Sequence, residues 1–268
     1  MVIELKYSGT NTYLVRGTDG CILFDTGWAD SFPQFCRALG EAGVTVHEIR
    51  YLFISHFHPD HMGIAQEIAG CGVKIVAADV QRAHIHDADR VFAKEGNRLY
   101  RPIVDEDVRV ISCGESRLLL KECGIAGEVV HTPGHSEDSI SLCLDEGVLF
   151  VGDLNPLYEL ELHKGTQIGD SWDKLLARNP VKVYYGHAKA VKLSGERGMS
   201  KKESGHSKDM FRLVKKIMKY IDKGYTLWDT QRATGADEAF VEDVARMYLT
   251  HQNISIQGIL DRIEIKGK

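Results

Sequence analysis

The segment SHFHPDHMG, residues 55–63, carries three histidines and an aspartate within six positions. His56 and His58 are two residues apart, so in an extended chain both side chains point to the same side and both imidazoles can reach one metal ion. Asp60 and His61 follow at the expected start of a helix, from which they can face a second metal ion. Neutral imidazole and carboxylate are typical ligands of Zn²⁺ and Fe²⁺, and a cluster without cysteine favours a catalytic over a structural zinc site.

Three later segments carry further potential ligands at the ends of apolar runs. HTPGHSEDS contains His131 and His135, VLFVGD ends on Asp153, and VYYGH ends on His187. Rigid elements often position functional side chains in the loops that follow them. Each residue alone also has an ordinary structural explanation, such as a turn or a helix cap, so the pattern by itself leaves open which of them join the cluster.

The first 193 residues alternate short apolar runs with helical patterns, which predicts sheets with helices packed outside them. A hairpin is expected at Asp19-Gly20, between TYLVRG and CILFDTG. Helices are predicted over 31–42, 62–69 and 172–178, and residues 84–101 are interpreted as a polar, helix-like insertion outside the core. The remaining apolar runs are predicted to be strands: YLFIS, KIVAAD, VRVIS, SRLLLKEC, IAGEVVHT, SISLCLD, GVLFVGD and VKVYYG.

The composition changes after Leu193. Residues 194–209 are rich in Gly, Ser and Lys, which is typical of a linker. Apolar residues at helical spacing predict an amphipathic helix from Met210 to Ile221 and another around residues 240–249. The apolar stretch 254–265 is expected to pack on the latter. The chain is therefore divided into a catalytic domain, 1–195, and a helical C-terminal domain, 200–268.

The succession of these motifs resembles the metallo-β-lactamase-fold hydrolase superfamily over about residues 10–190. FDTG with Asp25 comes first, followed by SHFHPDH, TPGHS, VGD and YYGH in the family's order. The resemblance implies an α/β fold, an αββα sandwich with the metal site at one edge, here with a C-terminal helical extension.

The resemblance also implies a ligand set. The first metal would be held by His56, His58 and His135, the second by Asp60, His61 and His187, and Asp153 would bridge the two. Asp25 would orient neighbouring backbone and ligands without binding metal. His131 has no counterpart among the family's ligands and is interpreted as a strand residue or a hydrogen-bond donor to a ligand.

The expected cofactors are two divalent metal ions, with Zn²⁺ favoured and Fe or Mn as alternatives. Two such ions can share one water and lower its pKa towards ~7, and the bridging hydroxide can attack an ester, thioester or lactone. Asp60 is the expected catalytic residue, which orients the hydroxide and takes its proton. No G-x-S-x-G motif indicates a serine nucleophile instead.

Other members of the superfamily supply the alternatives. A sulfur dioxygenase-like enzyme with one iron needs a subset of the same ligands. A nuclease or phosphodiesterase is weakly favoured by the net charge of +3 over residues 200–268 and disfavoured by the acidic remainder. A catalytic domain followed by a helical C-terminal domain is similar in layout to glyoxalase II, although that family's thiol-binding residues are not matched. The segment GDLNP departs from the G-D-A pattern associated with lactonases.

Composition limits the setting and the partners. The 268 residues have a net charge of −5, no apolar run of 18 and six cysteines without C-x-x-C spacing. We therefore expect a cytoplasmic protein with no membrane partner and no dedicated nucleic-acid partner, and the resemblance implies a small-molecule substrate. A homodimer is open because Phe211 and Trp228 need covering. Candidate substrate contacts are Tyr100, Arg101, Tyr158, His163, Lys164 and Lys189, and His84 and His86 are further candidates for the pocket lining.

Overall fold

The structure, a computed structural model, describes residues 1–193 and 204–250. The apolar stretch 254–265 and the first ten residues of the predicted linker lie outside the described residues. The chain divides into two compact units, Met1–Leu193 and Ser194–Lys268.

The first sheet of the larger unit has six strands in sequence order. The first three pair antiparallel and the next three join parallel: β1 (Val2–Leu5), β2 (Thr12–Arg16), β3 (Cys21–Phe24), β4 (Ile49–Phe53), β5 (Lys74–Ala78) and β6 (Val108–Ile111). The expected hairpin between β2 and β3 is present, with Arg16 opposite Cys21.

The second sheet has five strands in the order β11-β10-β9-β8-β7. Only β9 and β10 are parallel within it. Its strands are β7 (Gly127–His131), β8 (Ile140–Leu144), β9 (Val148–Phe150), β10 (Lys182–Tyr184) and β11 (Val191–Lys192).

The central strands of both sheets are buried on both faces, so that side chains alternating along a strand pack into two different layers. On β2, Leu14 faces the outer helices, whereas Tyr13 faces the second sheet and packs 4.9 Å from Tyr184 and 5.2 Å from Phe150, measured between ring centroids. Cys143 and Leu149 on the far face of the second sheet contact the next helical layer. The αββα sandwich is confirmed.

Helices cover the outer faces of the two sheets. On the first sheet lie α1 (Phe32–Glu41), α2 (Pro59–Met62), α3 (Ala65–Ala69) and α4 (Asp87–Glu95), and on the second lies α6 (Gln167–Leu176). The helix predicted over 62–69 is interrupted after Met62. A Cβ atom on Gly63 would lie 2.5 Å from the Ala29 nitrogen and 2.7 Å from the Gly27 oxygen, so only glycine allows this close approach of two backbone segments.

One predicted strand is wrong: SRLLLKEC forms helix α5 (Ser116–Lys121). The Glu115 carboxylate accepts hydrogen bonds from the Ser112 backbone N–H (2.7 Å) and hydroxyl (2.8 Å), a capping arrangement that starts a helix. Leu119 and Leu120 then pack between the sheets, while Leu118 is 70% exposed. A strand at this position would send Leu118 and Leu120 to the same side.

The interpretation of residues 84–101 as an insertion outside the core is also wrong in part. Helix α4 buries Ala88 and Phe92 in the outer core of the first sheet. The Phe92 ring stacks on Tyr100 with centroids 4.0 Å apart and meets Trp28 edge-on at 5.1 Å. Two buried side chains in a polar helix are enough to anchor it.

The smaller unit contains α7 (Ser204–Asp222), α8 (Leu227–Thr234) and α9 (Glu238–Thr250). Val214 and Ile217 of α7 pack against Val241 and Val244 of α9. The linker predicted over 194–209 is too long, since α7 already begins at Ser204. Within the described ranges, no helix is long and apolar enough to cross a membrane.

Candidate metal centre

The first group of candidate ligands forms where β4 ends and the chain turns into α2. His56 Nε2 lies 3.0 Å from His58 Nδ1, and His135 Nε2 lies 3.1 Å from the same nitrogen. One nitrogen from each ring lies within 4.8 Å of the others, so these atoms can hold one ion. We call His56, His58 and His135 the first trio.

The second group combines the start of α2 with the loop after β10. His187 Nε2 lies 3.0 Å from Asp60 Oδ2 and 3.2 Å from His61 Nε2. Asp60, His61 and His187, the second trio, also meet the geometric requirement for one ion. His61 is fully buried, whereas the Asp60 side chain is 37% exposed.

Asp153, directly after β9, lies between the two trios. Its Oδ2 is 3.4 Å from His187 Nε2 and 3.7 Å from His135 Nε2, and its Oδ1 is 3.4 Å from His61 Nε2. Oδ1 is buried and has no hydrogen-bond partner among the described residues. A buried carboxylate oxygen without a donor is costly, and a bridging cation would satisfy it, so the residues fit a metal pair.

Further side chains orient these ligands. Asp25 Oδ2 accepts a hydrogen bond from His61 Nδ1 at 3.0 Å, and Asp25 Oδ1 accepts one from the Ser55 backbone N–H at 2.6 Å. His61 Nε2 is thereby left facing the cluster. Such carboxylate–histidine pairs fix the ring orientation and raise the basicity of a metal ligand. The contacts agree with the role expected for Asp25.

Asp138 was missed by the sequence analysis. Its Oδ2 accepts a hydrogen bond from the Phe57 backbone N–H at 2.8 Å, and it is 3% exposed. The Ile140 N–H also donates to the Ser55 carbonyl at 2.8 Å. These bonds join the His135 loop to the segment that carries His56 and His58. SEDS has no ligand signature, so only the fold reveals the contact.

Residues Ser8, Gly9, Thr10 and Asn11, which we call loop 8–11, were also missed. The loop joins β1 to β2 and touches the second trio. The Thr10 hydroxyl donates to the Asp60 carbonyl at 2.7 Å, and His187 Nδ1 donates to the Gly9 carbonyl at 3.0 Å. A backbone carbonyl and one hydroxyl form no recognisable motif in a sequence.

The environment of the first trio favours the neutral form of its three imidazoles. Burial lowers the pKa of all three rings, furthest below the ordinary value for His56, and the neighbouring His61 adds to the effect. Histidines with lowered pKa values are unprotonated at neutral pH and offer their lone pairs to a metal ion.

The second trio and Asp153 form a network of opposite charges. Burial alone would lower the pKa of His61 and His187, but the charge of Asp153 raises both. The charge of Asp60 adds to the rise for His61, and the hydrogen bond to Asp60 adds to it for His187, so both pKa values end above the ordinary value. Burial alone would raise the pKa of Asp153 and Asp60. The surrounding histidines instead hold both carboxyl pKa values well below their usual range, so both carboxylates are ionised.

The remaining candidate histidines lie outside the cluster. His131, the last residue of β7, donates to the Glu137 carbonyl at 2.8 Å. His84 pairs with Asp87, and His163 Nε2 lies 3.6 Å from Glu159. His86 contacts two aspartates of its own segment, Asp89 and Asp105.

Two candidate substrate contacts are placed elsewhere. Tyr100 donates to Asp89 and stacks on Phe92. Arg101 lines a cavity of about 330 Å³ on the helical layer, together with Phe32, Gln66, Glu67, Gly70 and Cys71, none of which is a candidate ligand. The Tyr158 side chain is outside the described part of the chain.

Seven histidine and aspartate side chains at the ends of strands from both sheets, within an αββα sandwich, fit a metal-dependent hydrolase. The chain belongs to the metallo-beta-lactamase superfamily, whose family model matches residues 6–187. The predicted family is thereby confirmed.

The similarity to individual proteins of known sequence is limited. The chain is 30% identical over 197 residues to Beta-lactamase-like protein 2 homolog of Drosophila melanogaster, an alignment covering 70% of this chain and 61% of that one. It is 26% identical over 156 residues to Atrochrysone carboxyl ACP thioesterase of Aspergillus terreus, covering 56% and 40%. The chain thus spans less than two thirds of the length of either relative.

A solved structure shares the fold. TTHA1623, crystallised in a di-iron-bound form, aligns with a TM-score of 0.56 and 23% identity over 73% of this chain and 96% of that one. At this identity the likeness concerns the fold alone.

Proposed function

We propose that this protein is a dinuclear metal-dependent hydrolase of a small ester-like substrate, with a thioester as the preferred class. The observation that carries the proposal is the position of Asp153. It lies between two complete trios, and its buried Oδ1 has no hydrogen-bond partner in the part of the chain that the structure describes. A single-metal site would use the ligands of only one trio.

The first trio would hold one metal and the second trio the other, with Asp153 contacting both. When bound, such a pair supplies Lewis acidity, which activates water and polarises the scissile carbonyl. The chain contributes a preformed set of ligands. His56, His58 and His135 are unprotonated, and Asp25 keeps His61 in one orientation.

Asp60 is the proposed catalytic residue. Its carboxylate is ionised, 37% exposed and 3.0 Å from His187, so it reaches both the cluster and solvent. A carboxylate there can orient the attacking water and accept its proton. The Asp153 side chain is only 16% exposed and is therefore less able to exchange that proton with solvent.

The preference for a thioester comes from the relatives. Thioesterase is part of the name of the Aspergillus protein, which aligns with 56% of this chain. Esters and lactones need the same attack on a carbonyl carbon and remain within the proposal. Zn²⁺ suits the nitrogen and oxygen donors best; iron also suits them, and the di-iron form of TTHA1623 makes it the first alternative, ahead of manganese.

The partners follow from the same proposal. We expect a small-molecule substrate and a cytoplasmic setting, without a membrane or nucleic-acid partner. In the smaller unit, Trp228 is 60% exposed and Tyr225 is 48% exposed, which supports the proposal of a homodimer. Sedimentation of the whole chain at several concentrations tests it.

The test is to load the metal-free chain with zinc, iron or manganese, and to measure metal content and turnover on the same sample. The substrate panel contains a thioester, a lactone and bis-p-nitrophenyl phosphate. We expect two metal ions per chain and fastest turnover of the thioester. Hydrolysis of only the phosphodiester would instead support a nuclease or phosphodiesterase, and one iron per chain with oxygen uptake on a persulfide would support a sulfur dioxygenase.

Substitutions of candidate ligands test whether the measured turnover depends on this site. His58→Ala and Asp153→Ala should abolish turnover in a folded chain. His131→Ala is the matched control, since His131 is near in sequence to His135 but its side chain bonds the Glu137 carbonyl and belongs to neither trio. Turnover retained in either of the first two variants would remove that residue from the site.

A further inference from the structure

Loop 8–11 makes its contacts with one half of the cluster only. It touches Asp60 and His187, which both belong to the second trio. Among the described residues, it forms no hydrogen bond with any member of the first trio. The loop can therefore affect the metal position of the second trio without affecting that of the first.

The contact with His187 fixes which nitrogen faces the cluster. A carbonyl oxygen can only accept, so His187 Nδ1 carries the proton that it shares with Gly9 at 3.0 Å. His187 Nε2 then points to Asp60, at 3.0 Å, and to Asp153, at 3.4 Å. The Gly9 carbonyl thus fixes the ring orientation of His187, as Asp25 fixes that of His61.

The segment carrying His187 is held from the same loop. Asn11 Nδ2 donates to the Tyr185 and Ala188 carbonyls, both at 3.0 Å, and the Asn11 backbone N–H donates to the Gly186 carbonyl at 2.7 Å. Three bonds from one residue span the turn on both sides of His187. The turn is also bonded elsewhere, since the Gly186 N–H donates to the Gly152 carbonyl and the Tyr13 hydroxyl donates to the Tyr185 carbonyl, both at 2.7 Å.

The contact with Asp60 comes from Thr10, which is 2% exposed. Its hydroxyl donates to the Asp60 carbonyl at 2.7 Å and lies 3.4 Å from Asp60 Oδ2. The Ser8 hydroxyl supports Thr10 in turn through two contacts of 3.3 Å with its backbone. A buried hydroxyl therefore fixes the backbone from which the Asp60 carboxylate projects.

We propose that loop 8–11 sets the affinity of the second metal position, with Thr10 and Asn11 as its positioning residues. This inference rests on the proposed dinuclear function. Neither residue belongs to the two trios; Thr10 would act through Asp60, and Asn11 through the turn that carries His187. Loss of such supporting contacts typically weakens metal binding by about 10-fold to 100-fold.

The chain offers matched variants. Thr10→Val removes the hydroxyl at nearly constant volume, and Thr10→Ser restores it. Thr12→Val is the control because Thr12 is also fully buried, but its hydroxyl donates to the Tyr7 hydroxyl, at 3.0 Å, and to no candidate ligand among the described residues. Asn11→Ala removes the two side-chain bonds around His187 and tests the second half of the loop.

The experiment titrates each metal-free variant with Zn²⁺ and counts bound ions per chain by mass spectrometry. Thermal unfolding of the metal-free variants provides a second reading. For Thr10→Val and Asn11→Ala we expect an unchanged first ion and an affinity for the second that falls by about tenfold or more. Thr10→Ser should recover most of the loss, and Thr12→Val should bind both ions normally.

Two results would overturn the inference. One is normal binding of both ions by Thr10→Val and Asn11→Ala. The other is a parallel loss of both ions, which would mean that the loop supports the whole scaffold. If the unmutated chain binds a single ion, the proposed dinuclear function is refuted. The inferred effect of the loop on a second metal position is then refuted as well.

Discussion

Asp25 and His61 form a fully buried pair, with Asp25 Oδ2 3.0 Å from His61 Nδ1. Asp25 also lies in the left-handed region of backbone space, at φ 64°, a conformation that few residues other than glycine adopt without cost. Aspartate is among the residues that tolerate it. The position thus combines an unusual backbone with a side chain that orients a candidate ligand.

Replacing Asp25 with asparagine keeps the size, the tolerance for this backbone and an oxygen for the Ser55 N–H. It removes the acceptor for His61 Nδ1. We expect Asp25→Asn to weaken metal binding by about 10-fold to 100-fold, measured by competition with a chromogenic chelator. Asp87→Asn, which alters the exposed pair of His84 and Asp87, is the control. Equal affinities in both variants would show that Asp25 does not act through His61.

Asp60→Ala should reduce kcat by about 100-fold or more while KM changes much less, when assayed at metal concentrations that fill both positions. The reason is that Asp60 is expected to act on the attacking water and not on the substrate. Steady-state kinetics with the best substrate of the panel measures both constants. A large rise in KM with an unchanged kcat would mean that Asp60 only shapes substrate binding.

Gly186 precedes His187 and has no room for a side chain. A Cβ atom there would lie 2.5 Å from Asp153 Oδ1 and 2.7 Å from His61 Cε1, so Gly186→Ala must displace two candidate ligands. We expect strong loss of activity and of metal content.

Gly40→Ala provides the matched control, because an added Cβ there meets nothing within 4 Å and the residue lies inside helix α1. It should be neutral or stabilising by up to about 1 kcal/mol, as alanine is favoured over glycine within helices. Activity that survives in Gly186→Ala as well as in Gly40→Ala would contradict the close approach of the ligands.

His86 predicts a pH dependence of stability away from the candidate metal centre. Its hydrogen bond to Asp105 raises its pKa above 6.5, and the charge of Asp89 adds to the shift. Since the folded pKa lies above the unfolded one, the stabilisation is complete below pH 6.5 and is lost as the pH rises through the folded pKa. His86 is half exposed, so the effect should stay below about 1 kcal/mol.

Denaturant unfolding of metal-free wild type and His86→Gln checks this. The wild type should be the more stable of the two at about pH 6, and the difference should shrink above about pH 8. A difference that is constant or grows with pH would mean that the pair with Asp105 does not form in solution.

Four of the seven candidate ligands could be predicted from the residues alone. His56, His58, Asp60 and His61 lie so close together in the chain that local geometry already directs them to a common point. His135, Asp153 and His187 are distant, and it was the resemblance to a family that joined them to the cluster. Convergence of separate strand ends depends on sheet order, which hydrophobic patterns do not encode.

The errors have physical causes as well. The run of three leucines in SRLLLKEC resembles a buried strand. The capping box of Ser112 and Glu115 starts the helical turn Cys113–Glu115 that leads into α5, and it was overlooked. Loop 8–11 acts through a backbone carbonyl and short polar side chains, which have no preferred spacing. The polar helix α4 is anchored by Phe92, because one aromatic ring buries enough surface to hold it.

Anomalous X-ray diffraction from crystals of the zinc-loaded chain, recorded on both sides of the zinc absorption edge, would test the proposed metal pair. We expect two peaks a few ångströms apart, one among His56, His58 and His135 and the other among Asp60, His61 and His187, with Asp153 contacting both. One peak, or peaks away from Asp153, would contradict a dinuclear centre.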